Sequence, residues 1–261
     1  MLGQEKLLTL IDSFDLDTLP RSIILVGEYG SGKHSVVKYI QDSLKLNSIN
    51  ITKSLNLQTI IDINEKPTPC IYFIECNSIS EKEQNTILKL IEEPLRNAYI
   101  ILLSENKYSL LPTVLNRCQV FELAPYSKEI LTQFISSTCD ESLLLEIGKT
   151  PGQIKELQSY NIKEIIDLGN KIFDKIKVAN FANILTISNK LSFKDEKDKI
   201  NFDIFINVLL YCIKEKITLN TESNYNVYTL TKELCSNSHL PNINKKYLFE
   251  NYLTNLKLIK R

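Results

Sequence analysis

Tryptophan is absent from this chain and glycine is scarce, while lysine, isoleucine and asparagine are plentiful. That bias is what an AT-rich genome produces, and it excludes no function. Charge excess is also missing. The 31 basic and 31 acidic side chains cancel, so no overall field holds the chain on nucleic acid, and unaided DNA binding would need a local patch. No apolar run approaches the roughly 20 residues that span a bilayer. Met1 to Pro20 lacks the basic region and apolar block of a secretory leader. The expectation is a soluble, cytoplasmic protein with no membrane partner. The six cysteines, Cys70, Cys76, Cys118, Cys139, Cys212 and Cys235, are scattered and form no C-x-x-C pair. They read as reduced, mostly buried thiols, with no metal site among them.

What is present is a globular balance of 43% apolar and 24% charged residues over 261 positions, long enough for one large domain or two to three small ones. In the first half, apolar β-rich runs at Ser22–Val26, Ile49–Thr52, Cys70–Glu75, Ala98–Leu103 and Gln119–Leu123 alternate with helix-period segments. Nearly continuous apolar strands of this kind suit a five-stranded parallel sheet covered on both faces by helices. Beyond Pro125 the period becomes helical: Lys128–Thr138, Ser142–Ile147, Gly152–Gln158, Ile162–Ile176, Asn180–Leu191, Glu196–Lys216, Tyr228–Cys235 and Asn244–Ile259. Turns are expected at S-F-K-D from Ser192 to Asp195 and at the H-L-P-N around Pro241. The division this suggests is an α/β domain over residues 1–124, a small helical lid over 125–160 and an all-helical domain over 161–261.

The sequence G-E-Y-G-S-G-K-H, residues 27 to 34, follows the first strand and precedes a helical pattern at Val36, Val37, Ile40 and Leu44. This is the setting of a phosphate-binding P-loop. Gly27, Gly30 and Gly32 let successive N–H groups curl round a phosphate, the helix N-terminus adds positive potential, and Lys33 supplies a mobile charge. The next position needs a small hydroxyl to bind magnesium. Here it is His34, bulkier and a poor ligand for so hard an ion. Such a site also needs an acid at the end of a neighbouring strand and a Glu that polarises the attacking water. In I-Y-F-I-E-C, residues 71 to 76, Glu75 can stand for the first. Cys76 occupies the place of the second and cannot act as a base while neutral. Binding of ATP or a phosphate-type anion is expected to be weak, and hydrolysis in cis is not expected. Further on, Ser80 and Glu83 have capping-box spacing at the start of a helix that must finish near Pro94.

The run N-T-I-L-K-L-I-E-E-P at 85–94, then I-I-L-L-S-E-N, L-L-P-T-V-L-N-R-C-Q and F-E-L-A-P, resembles the AAA+ clamp-loader subunits of bacterial replicative DNA polymerase III. So do Gly3-Gln4 and L-P-R-S-I-I-L-V-G, and the likeness covers about residues 1 to 160. The resemblance implies a AAA+ fold with a lid and a helical collar. It implies that N-R-C at 116–118 corresponds to the family's S-R-C motif, with Arg117 presented in trans to ATP on an adjacent subunit. A planar, permanently charged guanidinium suits that role, although an ordinary surface ion pair is the alternative for any lone arginine. In T-P-G-Q-I-K, 150–155, Gly152 stands where hydrolysing relatives place a nucleotide-sensing arginine. Of the types within this family, that pattern of losses matches delta-prime. The four-cysteine zinc module of many relatives is missing between Lys33 and Glu75, where only Cys70 occurs, so no zinc is expected.

The partners implied are gamma/tau-type ATPase subunits and a delta subunit, with the sliding clamp and primer-template DNA met through the assembly. Lys82 and Lys89 are candidate backbone contacts, with a solvated charge the favoured account of each. Two other readings stay open at this point: an active ATPase in which Lys33 and Glu75 suffice, and a scaffold in which Arg117 has no role.

Overall fold

The computed structural model describes residues 2–51, 68–77, 79–92, 97–136, 139–176, 186, 189, 191–192, 200–217, 222–238 and 243–259. It divides into two compact units, Met1–Ile130 and Leu131–Arg261.

The first unit runs α1 (Glu5–Asp12), β1 (Ser22–Val26), α2 (Lys33–Leu44), β2 (Asn47–Asn50), β3 (Cys70–Glu75), α3 (Glu81–Glu92), β4 (Ala98–Ser104), a 3-10 turn at Lys107–Ser109, α4 (Pro112–Leu115), β5 (Gln119–Glu122) and the start of α5 (Lys128–Thr132). All five strands are parallel, in the order β2-β3-β4-β1-β5. β1 and β4 are buried along their whole length, as their runs of S-I-I-L-V and A-Y-I-I-L-L-S require. The edge strands β2 and β5 are only partly covered. Alternation along each strand splits these residues between two cores. Ile23, Leu25, Ile71, Tyr99, Ile101 and Leu103 face α1 and α2 through Leu7, Ile11, Val36 and Ile40. Ile24, Val26, Tyr72, Ile74, Ile100 and Leu102 face α3 and α4 through Ile87, Leu90, Ile91 and Val114. The result is a three-layer α/β/α sandwich whose loops after β1, β3 and β4 meet at the carboxyl end of the sheet, where such folds hold ligands.

The first break was expected after Ala124, yet residues 125–130 belong to the first unit. Three contacts explain it. The Gln4 side chain donates to the Ala124 carbonyl and accepts from its N–H, both at 2.8 Å. The Tyr126 hydroxyl donates to the Ser31 carbonyl at 2.7 Å. Gly3, at φ +78°, leaves room for Tyr126 and Ile130, whose side chains a Cβ would approach to 3.1–3.2 Å.

The second unit contains α6 (Glu141–Ile147), α7 (Pro151–Leu157), α8 (Ile162–Lys175), β6 (Leu191–Ser192), β7 (Ile200–Asn201), α9 (Phe202–Ile217), α10 (Glu222–Ser238) and α11 (Lys245–Ile259). Helix α9 buries Phe202, Ile204, Phe205, Ile206, Val208, Leu209, Cys212 and Ile213, too many faces for a surface helix, and it is the central element on which α6, α8 and α10 pack. Gly169 permits the close approach of α8, since a Cβ there would lie 3.1 Å from the Cys212 sulfur. Phe249 meets Phe202 and Phe205 edge-on at 5.6 and 6.1 Å. The buried hydroxyls of Thr231 and Tyr252 satisfy each other at 2.9 Å.

This unit is not all-helical. β6 and β7 form a short parallel pair, so the expected helix over Glu196–Lys216 begins only at Phe202, where the Asn201 side chain accepts from the N–H groups of Asp203 and Ile204. The expected helix over Lys128–Thr138 stops at Thr132 because the chain then turns and Ser136 is tied to Gln158 Oε1 through its N–H and hydroxyl at 2.8 and 2.7 Å. Most of Asn180–Leu191, the turns at 193–195 and around Pro241, and Pro94 itself lie outside the described residues.

Candidate functional site

The loop after β1 has the backbone that its glycines predict. Gly30 and Gly32 sit at φ +74° and +96°, a region in which a side chain is strained. Gly27 faces Ser31, whose hydroxyl oxygen would lie 2.6 Å from an added Cβ. Helix α2 then starts with Gly32 as its cap, and the Val36 N–H closes its first turn on the Gly32 carbonyl at 3.0 Å. The backbone N–H groups of that first turn remain to meet an anion.

Lys33 is buried and folded back on the loop itself, its ammonium donating to the carbonyls of Gly27 at 2.5 Å and Glu28 at 3.1 Å. Burial pushes it below the ordinary lysine range, and the carboxylates of Glu105, Glu75 and Glu28 oppose that shift. Lys33 is thus already satisfied from within its own loop.

His34 and Glu75 come together. Nε2 of His34 stands 3.0 Å from Glu75 Oε1, with both side chains more than half exposed, and the imidazole meets the Phe73 ring edge-on at 5.6 Å. The two positions that a magnesium ion would need to engage are therefore engaged with each other. Cys76 points away from this site into the core between the sheet and α3. Burial pushes its thiol up to about 12, which leaves it neutral near pH 7 and without the proton affinity of a base. Among the described residues, no group of three or more His, Cys, Asp or Glu side chains is placed to hold a metal ion.

Arg117 lies elsewhere. It follows the short helix α4, which opens with Pro112 at its first turn, and it precedes β5, which pairs parallel with β1 in the register Ile23↔Gln119. The P-loop leaves the carboxyl end of β1, whereas Arg117 enters the amino end of β5. Neighbouring parallel strands thus hold the two groups at opposite ends of the sheet, on the order of 15 Å apart along the strand direction. The Arg117 guanidinium, half-exposed, is held by Glu92 Oε1 at 2.7 Å from Nε and by the Thr113 carbonyl at 2.9 Å from Nη1. Gly152 falls in the first turn of α7, where Thr150 caps the helix by accepting from the Gln153 N–H at 3.3 Å.

Sequence reasoning missed three residues. Gln84, 2% exposed, braces α3 against the segment leading to α4: its amide donates to the Ser109 carbonyl at 3.1 Å and accepts from the Leu111 N–H at 2.8 Å. The signal was a polar residue on the apolar stripe of Ile87 and Ile91. Ser104, fully buried at the end of β4, bonds the Asn106 carbonyl and the Ser109 hydroxyl at 2.8 and 3.0 Å. Glu92 had no signal, since its partner is 25 positions away. The capping box was legible: the Glu83 carboxylate accepts from the Ser80 N–H and hydroxyl, and the Ser80 hydroxyl accepts from the Glu83 N–H at 3.3 Å. Lys82 and Lys89 are exposed on α3.

A parallel sheet with a glycine-rich phosphate loop after its first strand, and a fourth strand inserted between that strand and the acidic one, defines a P-loop protein of the AAA+ class. The profile of the family described as "DNA polymerase III, delta subunit" matches residues 48–127. The chain is 31% identical over 104 residues to the DNA polymerase III subunit delta' of Haemophilus influenzae, covering 37% of this chain and 32% of that protein. It is 24% identical over 297 aligned positions to the DNA polymerase III subunit gamma/tau of Mycoplasma genitalium, covering 93% of this chain and 48% of that one. The chain thus spans about a third to a half of the length of these relatives. A crystal structure of a DNA polymerase III gamma subunit-related protein from Thermotoga maritima has the same fold, with a TM-score of 0.54 at 16% identity over 99% of this chain and all of that one. Over these stretches the chain is similar to clamp-loader subunits of bacterial DNA polymerase III. No helix among the described residues is long and apolar enough to cross a membrane.

Proposed function

We propose that the chain is a delta-prime-type subunit of the clamp loader, which assembles with gamma/tau-type ATPase subunits and a delta subunit to place the sliding clamp on primer-template DNA. Its own P-loop does not hydrolyse ATP, and Arg117 acts on ATP held by a neighbouring subunit. Of the expected lid, residues 131–160 keep that part, and 161–261 serve as the collar that joins the assembly. No cofactor is required, and the loop holds ATP or a phosphate-type anion weakly at best.

The observation that carries this reading is the separation of the two halves of the site. The magnesium and water-activating positions are a His34–Glu75 pair and a buried Cys76 thiol, which do not fit a hard divalent ion or a general base. The arginine lies at the far end of β5 from that loop, half-exposed, with N–H groups left to grip a phosphoryl group. An arginine so placed serves another chain's nucleotide or none.

One observation favours a second reading, an ATPase active in cis: Gly30 and Gly32 keep the left-handed conformations of an anion cradle. The two are separated by the ATPase of a loader reconstituted with Arg117→Ala or with Lys33→Ala in this chain. The proposal requires the first to fall and the second to change little. A loader that loses activity with Lys33→Ala instead supports hydrolysis in cis, and one indifferent to both makes the chain a scaffold.

A further inference from the structure

We propose that Glu92 is a positioning residue for Arg117, an inference that rests on the role in trans given to that arginine above. Glu92 is the last residue of α3, on the exposed face that also carries Lys82, Asn85 and Lys89. Its carboxylate takes the Nε edge of the guanidinium at 2.7 Å, and the Thr113 carbonyl takes one N–H of Nη1 at 2.9 Å.

Two of the five guanidinium donors are used in this way, on adjacent edges of one plane. The plane is therefore fixed, and the second N–H of Nη1 and both N–H groups of Nη2 remain for a ligand. An exposed ion pair of this kind adds little to the stability of a fold. What it does supply is orientation, because a free arginine samples many rotamers and a phosphoryl-gripping fork works only when it is presented in one. The carbonyl contact belongs to the same helix turn as Arg117, whereas Glu92 comes from a different element. Buried Gln84 ties that element to the segment before α4 through two hydrogen bonds, so the carboxylate and the arginine it holds are mounted on parts that move together. The pair orients the arginine and does not withhold it, since Glu92 and Thr113 take only two of its five N–H groups.

The test uses the loader assembled from this chain and its ATP-binding partner subunits, with steady-state ATPase read as kcat and KM for ATP. Glu92→Ala is expected to lower kcat by about 10- to 100-fold with KM within about two-fold, because the arginine contacts the nucleotide only when it is presented. Glu92→Gln, whose amide oxygen can still accept from Nε, recovers most of the activity. In an Arg117→Ala background, Glu92→Ala produces no further loss.

Wild-type kcat for Glu92→Ala, with Arg117→Ala still impaired, overturns the positioning role and leaves the proposed function standing. A raised kcat also overturns it, by showing a latch. An equal loss in both backgrounds assigns Glu92 a purely structural part and overturns it as well. No loss for Arg117→Ala itself overturns the proposed function and this inference together. Should Glu92→Ala not assemble, the isosteric Glu92→Gln is compared with Glu92→Leu, and equal kcat for the two counts against the proposal.

Discussion

The loop at Gly27–His34 and the turn at Arg117 are both short polar segments attached to neighbouring strands of one sheet, and they treat their charges in opposite ways. At the loop, the side chains suited to nucleotide chemistry are engaged within the chain: Lys33 with its own loop carbonyls, exposed His34 with Glu75, and Cys76 in the core. At the turn, the guanidinium is held by two contacts and keeps the rest of its donors for something outside. A folded loop shape does not by itself report chemistry, because glycines at positive φ and an apolar strand are fold requirements in their own right. A presented arginine has no such structural reason to persist, which makes its geometry the more informative of the two.

The comparison can be broken or sharpened by substitution. The largest stability effect should come from the sheet common to both regions. Ile101 lies fully buried between β1 and β3, and Ile101→Ala should cost about 2–5 kcal/mol in urea unfolding. A cost near zero would mean that the sheet does not hold the two regions in register. At the arginine side, Gln84→Ala removes two partly buried hydrogen bonds, to the Leu111 N–H and the Ser109 carbonyl, which should cost about 1–3 kcal/mol. At the loop, Gly32→Ala forces a side chain into a left-handed conformation at a cost of about 1–2 kcal/mol. If alanine is tolerated without loss, the left-handed conformation at Gly32 is not required by the loop.

The smallest effect is a pH dependence at α3. Hydrogen bonds from the Ser80 backbone and hydroxyl hold the Glu83 carboxylate below its ordinary value of about 4.3. A carboxylate depressed in the folded state adds stability that is present above its unfolded pKa and is lost as pH falls through the folded one. Titration by NMR should find Glu83 low, and Ser80→Ala should return it toward the unperturbed value. An unshifted Glu83 would deny the capping box.

Much of the fold was legible because the signals were strong. Fully buried parallel strands must read as unbroken apolar runs, and β1 and β3 carry the expected limits, with β4 one residue longer. The edge strand β2 was expected two positions late, since N-S-I-N is polar and has one side chain of strand character. The pair β6–β7 has two residues per strand, too few for any period to show. Helix α10 extends well beyond the Tyr228–Cys235 expected because its ends are polar and carry no stripe. At the site, His34 and Cys76 declared themselves as departures from a motif. The contacts His34–Glu75 and Glu92–Arg117 did not, because they join residues far apart in sequence and depend on the folded sheet.

The central claim is that this chain contributes an arginine and not a hydrolytic site, and single-turnover ATP hydrolysis by the assembled loader tests it most directly. With Arg117→Ala in this chain, the account predicts a fall on the order of 10³-fold at the neighbouring site, and with Lys33→Ala a rate within about two-fold of wild type. A loader that is unaffected by the first substitution, or disabled by the second, would contradict it.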